Sequence, residues 1–328
     1  MNTAFYSHPA CREHDMGEGH PECPARLDAI TDHLRATGLD VALDFREAPA
    51  ASAEQLGRAH AAGYVSELSD LLGRVQAAGE SRYLDPDTLA CPGTLQAVLR
   101  AAGAAVAATD AVLGGAGGAG VAGAASVAQA GAPKRAFCAV RPPGHHATRD
   151  QAMGFCFFNS VAVAARHALD VQGLERVAIV DFDVHHGNGT EDIIAGDERV
   201  LMVSFFQHPL YPYSGAVPKG TNMVNVPLPP YTRGPAMREA VERQWLPALE
   251  AFKPQMLFIS AGFDAHREDG LGQMGLVEAD YEWITRQLVA VAERHGQGRI
   301  VSCLEGGYNL GALARSVAAH LRVLAGVA

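Results

Sequence analysis

The sequence predicts a single-domain, three-layer α/β/α protein with a central, mainly parallel sheet. Three observations lead there. Short apolar runs such as Val177-Ala178-Ile179-Val180 alternate with helical patterns through the second half of the chain, as in a parallel sheet covered on both faces. Each run stops at a polar cluster. No linker interrupts the rhythm, so residues 1–328 read as one domain, and 48% hydrophobic residues suffice for a large core.

The elements follow in order. Residues 1–25 read as irregular, with Asp15 to Pro21 a glycine-spaced loop. Leu27, Ile30 and Leu34 give Ala25–Thr37 helical spacing, and Gly38 ends it. Glu54–Leu72 suggests one or two helices interrupted at Gly63. Two prolines and two aspartates make Tyr83–Gly93 a loop. Thr94–Leu113 is an alanine-rich helix. The Gly/Ala-rich segment 114–133 reads either as a flexible connection or as a loop with a short helix, and it is assigned no chemistry. Strands are then expected at Ala136–Val140, Val177–Val180, Val200–Phe205, Met256–Ser260 and Ile300–Leu304. Helices are expected at Asn159–Leu169, at Arg238–Phe252 despite Pro247, at Glu278–Arg294 and at about Leu310–Leu324.

A formal net charge of −10 argues against a broad nucleic-acid surface, which needs clustered Lys and Arg. MNTAFYSHPA has neither a basic start nor a long apolar run, so no signal peptide is expected. The apolar stretch 101–132 is Ala and Gly broken by Asp110, and no membrane span is expected. Six cysteines without a CxxC read as reduced thiols in a cytoplasmic protein.

The chemistry centres on DFDVHHGNGT, residues 181–190, which follows an apolar run directly. Charge delivered to the edge of a core needs a metal, an opposite charge or water. Asp183 and His185 are two apart, so on an extended segment they point the same way. Asp264 arrives from another strand end, in AGFDAH. Two oxygens and one nitrogen leave a position open, as catalytic Zn²⁺ sites do, although Fe²⁺ or Co²⁺ suits the same donors. His145 and His146, in RPPGHHA, suit a general base/acid and an electrostatic partner. Asp181 is placed to orient one of them. His186, beside a ligand, is expected to point the other way, into packing. Asn188 can reach the second histidine as a neutral partner. Tyr308 follows two glycines and can donate to a developing oxyanion. Gly154 to Phe158 and Tyr211-Pro212-Tyr213 can wall a narrow apolar tube. Ligands of open α/β sheets bind at the carboxyl ends of the strands, so these clusters should converge on one site. Together they specify hydrolysis of an amide at the end of a slim chain.

His20-Pro21-Glu22, RPPGHHA, GFCFFN, DFDVHHGNGT, SAGFDAH and LEGGYN, in this order, resemble the histone deacetylase family within the arginase–deacetylase fold. Asn188 and Glu305 are similar to the class II branch, which includes bacterial deacetylase-like amidohydrolases and acetylpolyamine amidohydrolases. The resemblance implies removal of acetyl or other acyl groups from N-acyl-lysine by metal-activated water. It implies one Zn²⁺ held by Asp183, His185 and Asp264, with His146 as general base and acid. His145, paired with Asp181, would be the electrostatic partner, and Tyr308 would polarise the carbonyl. Phe155 and Tyr211, with Gly154, match the tunnel walls. Arg26 resembles an arginine near an acetate exit channel. A structural K⁺ is implied near Asp181, Asp183, His185 and Ser204. Leu271 stands where polyamine-specific relatives often place an acid, which favours an acyl-lysine peptide or protein. Glu18, Asp85 and Asp87 lie in loops that could still reach the rim, so an acetylpolyamine or another small acylated amine is the alternative substrate. A non-catalytic acyl-binding module and a two-manganese ureohydrolase on the same fold are further readings, and oligomeric state is open.

Overall fold

The computed structural model describes residues 3–114 and 132–327, so the expectation for 114–133 lies outside the described residues except at its ends. In chain order the elements are β1 (Thr3–Ser7), α1 (Ala25–Ala36), β2 (Leu43–Glu47), α2 (Ala53–Leu56), α3 (Ala62–Ala78), β3 (Arg82–Tyr83), β4 (Leu89–Ala90) and α4 (Thr94–Val112). Then come β5 (Arg135–Cys138), α5 (Ser160–Asp170), β6 (Val177–Asp181), α6 (Asn188–Ile194), β7 (Val200–Gln207), β8 (Met223–Leu228) and α7 (Gly234–Ala240). The chain closes with α8 (Leu246–Phe252), β9 (Leu257–Ala261), α9 (Glu278–His295), β10 (Ile300–Leu304) and α10 (Leu310–Ala325).

Eight strands form one sheet in the order β2-β1-β5-β10-β9-β6-β7-β8, and every pair is parallel. The central strands β5, β6, β9 and β10 are buried along their whole length, which is why they read as continuous apolar runs. Helices α4 and α5 pack together on one face, and α1, α9 and α10 pack together on the other. By length and composition α4 could cross a bilayer, but it is a core helix here, with Ala97, Ala101, Ala104, Ala105 and Ala108 buried.

Several expectations are corrected. Residues 1–25 are not wholly irregular, because β1 inserts between β2 and β5. Gly63 does not interrupt a helix; it lies in the first turn of α3, and the break comes earlier, after Leu56. Tyr83–Gly93 contains the two-residue antiparallel ladder β3–β4. Strands β2 and β8 and helix α6 have no counterpart among the expected elements. Pro227 in β8 argues against a strand, yet β8 is a sheet edge, where a missing N–H is tolerated. Pro247 is accommodated because one wide π turn, Val241–Trp245, precedes it and leaves it in the first turn of α8.

The strands whose carboxyl ends carry the polar clusters are β5, β10, β9, β6 and β7, five consecutive neighbours. Strand spacing of about 4.8 Å puts their ends within about 20 Å of each other. The topology thereby gathers residues that the sequence scatters from position 141 to 308.

Candidate active site

Beyond β6 the chain bends through residues 183–185, where Asp181 Oδ1 accepts from Asp183 N–H and Asp183 Oδ1 from His185 N–H. Phe182 and Val184 go into the core, and Asp183 and His185 go to the opposite side. His185 Nδ1 lies 3.0 Å from Asp183 Oδ1 and 3.1 Å from Asp264 Oδ2. One ligand atom from each of the three residues falls within 4.8 Å of the others. Backbone donors hold the carboxylates in place: Gly306 N–H donates to Asp183 Oδ2 at 2.8 Å and Val184 N–H to Asp264 Oδ1 at 2.9 Å. Glycine is required around this cradle. A Cβ at Gly306 would sit 2.1 Å from Asp264 Oδ2, and one at Gly262 would sit 2.0 Å from Asp183 Oδ2. Burial pushes the Asp264 carboxyl up to about 7, and Asp183 adds repulsion. Two buried, converging carboxylates and an imidazole nitrogen fit a divalent metal, whose charge would resolve that repulsion.

The paired histidines stand beside this cradle, their ring centroids 4.0 Å apart. They have different partners. His145 Nδ1 meets Asp181 Oδ2 at 3.0 Å, and His146 Nδ1 meets Asn188 Oδ1 at 2.7 Å. Burial opposes charge on His145, but Asp183 and Asp181 outweigh it and push its pKa up to about 10. Burial, followed by the charges of His145 and His185, holds His146 well below the ordinary histidine value. The two shifts oppose each other, favouring charge on His145 and a neutral ring on His146. The turn that presents them is pinned by Glu305, whose Oε2 accepts from Gly144 N–H at 2.6 Å and His145 N–H at 3.1 Å. His186 points away as expected. It is buried, meets Ser214 Oγ at 2.8 Å and packs on Phe206.

Tyr308 leaves β10 through Gly306 and Gly307, the latter at φ 118°, which only glycine adopts freely. Burial, reinforced by Asp264 and Asp183, keeps its phenol protonated far above the ordinary range, so it remains a donor. Three residues that sequence reasoning left without a role hold this loop. Asp269 Oδ2 accepts from Tyr308 N–H at 2.6 Å and Asn309 N–H at 3.0 Å, and its Oδ1 accepts from Leu271 N–H at 3.0 Å. Glu22 joins Arg26 to Arg141, with Arg141 Nη2 to Glu22 Oε2 at 2.6 Å, all three fully buried. Arg26 donates to the carbonyls of Gly307 at 2.7 Å and Glu305 at 2.5 Å, and its guanidinium lies 4.9 Å from the Tyr308 ring centroid. The structure therefore gives Arg26 a clamping contact on the tyrosine loop. Glu22 was visible in the first motif and Arg141 in the second, but nothing local links them.

A cavity of about 240 Å³ opens from these groups. His146, His185 and Tyr308 line it together with Gly154, Phe155, Leu210, Tyr211 and Leu271. Gly154 sits at φ 56°, and a Cβ there would fall 2.6 Å from His146 Cδ2. Tyr211 meets His146 edge-on at 5.2 Å between centroids. Asp87 also lines the cavity, so Leu271 is not its whole mouth. Burial, with Asp85 adding to it, pushes the Asp87 carboxyl up to about 6. Ser204 is buried and is the register partner of Asp181 on the neighbouring strand.

Residues 20–324 match the histone deacetylase domain. The chain belongs to the histone deacetylase family. It is 40% identical over 298 residues to the histone deacetylase-like amidohydrolase of Pseudomonas aeruginosa, covering 89% of this chain and 73% of that one. It is 37% identical to the mouse polyamine deacetylase HDAC10, covering 95% of this chain and 46% of that one. Its structure superposes on the crystal structure of the HDA15 HD domain with a TM-score of 0.87 at 32% identity, over 99% of this chain and 88% of that one. The fold is thus the arginase–deacetylase α/β fold of this family, and membership supports a hydrolase that deacetylates amides.

Proposed function

We propose that the protein is a zinc-dependent deacylase that removes acetyl or another acyl group from N-acyl-lysine side chains. The observation that carries this reading is the 240 Å³ cavity, with His146, His185 and Tyr308 among its lining residues and Gly154, Phe155, Leu210, Tyr211 and Leu271 as apolar or aromatic walls. Asp183, His185 and Asp264 would hold the metal, which when bound supplies Lewis acidity toward a water and a carbonyl oxygen. His146 takes the proton of the attacking water at its free nitrogen while Asn188 holds its Nδ1, and it later returns a proton to the leaving amine. His145, charged and held by Asp181, stabilises negative charge developing nearby. The Tyr308 phenol donates to the carbonyl oxygen as it becomes an oxyanion. Gly154, Phe155, Tyr211 and Leu271 sheathe the slim alkyl chain. A structural K⁺ near Asp181, Asp183, His185 and Ser204 rests on family resemblance alone.

Asp87 at the cavity favours a second reading, in which the substrate is an acetylpolyamine or another small acylated amine bearing a cation. Parallel assays with acetyl-lysine peptides, longer acyl-lysine peptides and N-acetylputrescine separate the two. The first reading expects the highest kcat/KM on the peptides. Cleavage of N-acetylputrescine with inert peptides would replace it with the second.

A further inference from the structure

A second groove, of about 760 Å³, lies beside the cavity mouth. Its lining includes Tyr231, Arg233, Arg267, Gly272, Gln273 and Asp280. Its framework is a three-segment backbone ladder. Tyr231 N–H donates to the Gln273 carbonyl and Gly275 N–H to the Thr232 carbonyl, both at 2.8 Å. On the other side Arg267 N–H donates to the Leu276 carbonyl at 2.9 Å and Leu276 N–H to the Ala265 carbonyl at 3.1 Å. The central segment 273–276 thus holds Arg233 on one flank and Arg267 on the other. Both side chains are exposed.

The acids nearby are already committed. Asp280 is held by Arg238 at 2.8 Å, and Arg315 takes both Glu268 and Glu278. Arg233 and Arg267 are left without an acidic partner among the described residues, on a chain whose net charge is −10. The groove also connects to the mouth through the chain itself. Leu271 lines the cavity, and Gly272, the next residue, lines the groove. From Leu271 to Gly275 the backbone spans at most about 14 Å, the reach of about four extended residues. Another groove, lined by Tyr308, carries Asp15 and Glu18 and would repel an anion.

We propose that the Arg233–Arg267 groove is a substrate subsite for an acidic side chain of the acylated polypeptide, within about four residues of the acyl-lysine. This rests on the acyl-lysine reading above. A planar guanidinium from either flank of the groove suits a carboxylate, and an exposed site gives selectivity rather than tight binding.

The test is a set of acetyl-lysine peptides carrying Glu, Gln or Lys at each position from two to four residues on either side, assayed with the metal-loaded holoenzyme. The expected result is a kcat/KM about three- to tenfold higher for Glu than for Gln at one or more positions, expressed in KM and shrinking as salt rises. In the double variant Arg233→Ala/Arg267→Ala the Glu-to-Gln ratio should fall to about one, and Arg233→Lys/Arg267→Lys should restore part of it. Should the double variant misfold, Arg233→Ala and Arg267→Ala singly carry the test, each expected to lower the Glu-to-Gln ratio, and an unchanged ratio in both overturns the subsite. Equal cleavage of Glu and Gln peptides by the wild type overturns the subsite and leaves the acyl-lysine reading intact. A Glu preference that survives the double variant also overturns it. Inertness toward every peptide, with N-acetylputrescine cleaved, overturns both.

Discussion

Asn188 Oδ1 lies 2.7 Å from His146 Nδ1, so the member of the histidine pair that lines the cavity has a neutral partner where its neighbour His145 has a carboxylate. Replacing Asn188 by Asp would favour the imidazolium form of His146 and raise its pKa. A base must be neutral to accept a proton. The acid limb of the kcat/KM–pH profile should therefore move up by about one unit in Asn188→Asp. An unmoved limb would remove His146 from the role of base.

Tyr308→Phe and His146→Ala should each lower turnover by about 10²–10⁴-fold. Metal content after dialysis should stay at the wild-type value in both. Asp264→Ala should instead lose metal, because it deletes one of three converging ligands. Near-normal activity in either of the first two variants would reassign the roles.

Gly306→Ala places a methyl group 2.1 Å from Asp264 Oδ2 and 2.6 Å from Asp183 Oδ2. Both carboxylates are fully buried and cannot move far. The expected outcome is a weaker metal site, read as faster loss of metal to a chelator than in the wild type. Unchanged metal retention would show that the cradle is softer than its packing implies.

Glu22→Gln keeps the shape of the Arg26–Glu22–Arg141 triad and removes its negative charge. Burial opposes ionisation of Glu22, yet Arg141, His14 and Arg26 hold its pKa down at about 2. Two buried guanidiniums would lose their common counter-ion, which typically costs about 3–5 kcal/mol. Urea unfolding at neutral pH should show that loss. Activity should fall with it, since Arg26 holds the carbonyls behind Tyr308.

His60 makes stability acid-sensitive. Its Nδ1 donates to the Thr148 carbonyl and its Nε2 accepts from Asn159 N–H, both at 2.9 Å, so the neutral tautomer is fully used. Burial lowers its pKa from 6.5 to about 4. The unfolded chain binds this proton more readily, so the contribution is complete above pH 6.5 and declines as pH falls toward 4. At pH 5 the loss is about 2 kcal/mol from this residue. Unfolding free energies at pH 7 and pH 5 should differ by less in His60→Gln, whose amide supplies a donor and an acceptor without titrating. An equal drop in both proteins would assign the acid sensitivity elsewhere.

The legible parts were the local ones. Buried parallel strands such as β6 and β10 show as apolar runs, and α1 and α9 as periodic helices, because each pattern is complete within a few residues. Strands β1 and β2 were not legible. β2 lies at the sheet edge with alternating exposure, and β1 precedes a glycine-spaced stretch that dominates the local signal. Helix α6 is seven residues long and starts inside a glycine-rich motif, too short for periodicity to emerge.

By itself the sequence determined which chemical groups stand at the strand ends: Asp181, Asp183, His185 and Asn188 after one strand, the paired histidines after another, and Asp264 and Tyr308 after two more. Groups at strand ends are set by residue order, and a parallel sheet brings them to one edge. Tertiary structure alone decided their partners and their charge. The Glu22–Arg141 pair spans 119 residues and the Arg26–Gly307 contact 281, separations at which no local pattern carries information. It also set the opposite pKa directions of His146, down, and His145, up, because burial and neighbouring charge shift a proton equilibrium and neither is a property of residue order. The placement of Arg233 and Arg267 on either flank of segment 273–276 has the same origin: backbone hydrogen bonds between distant stretches put both on one groove.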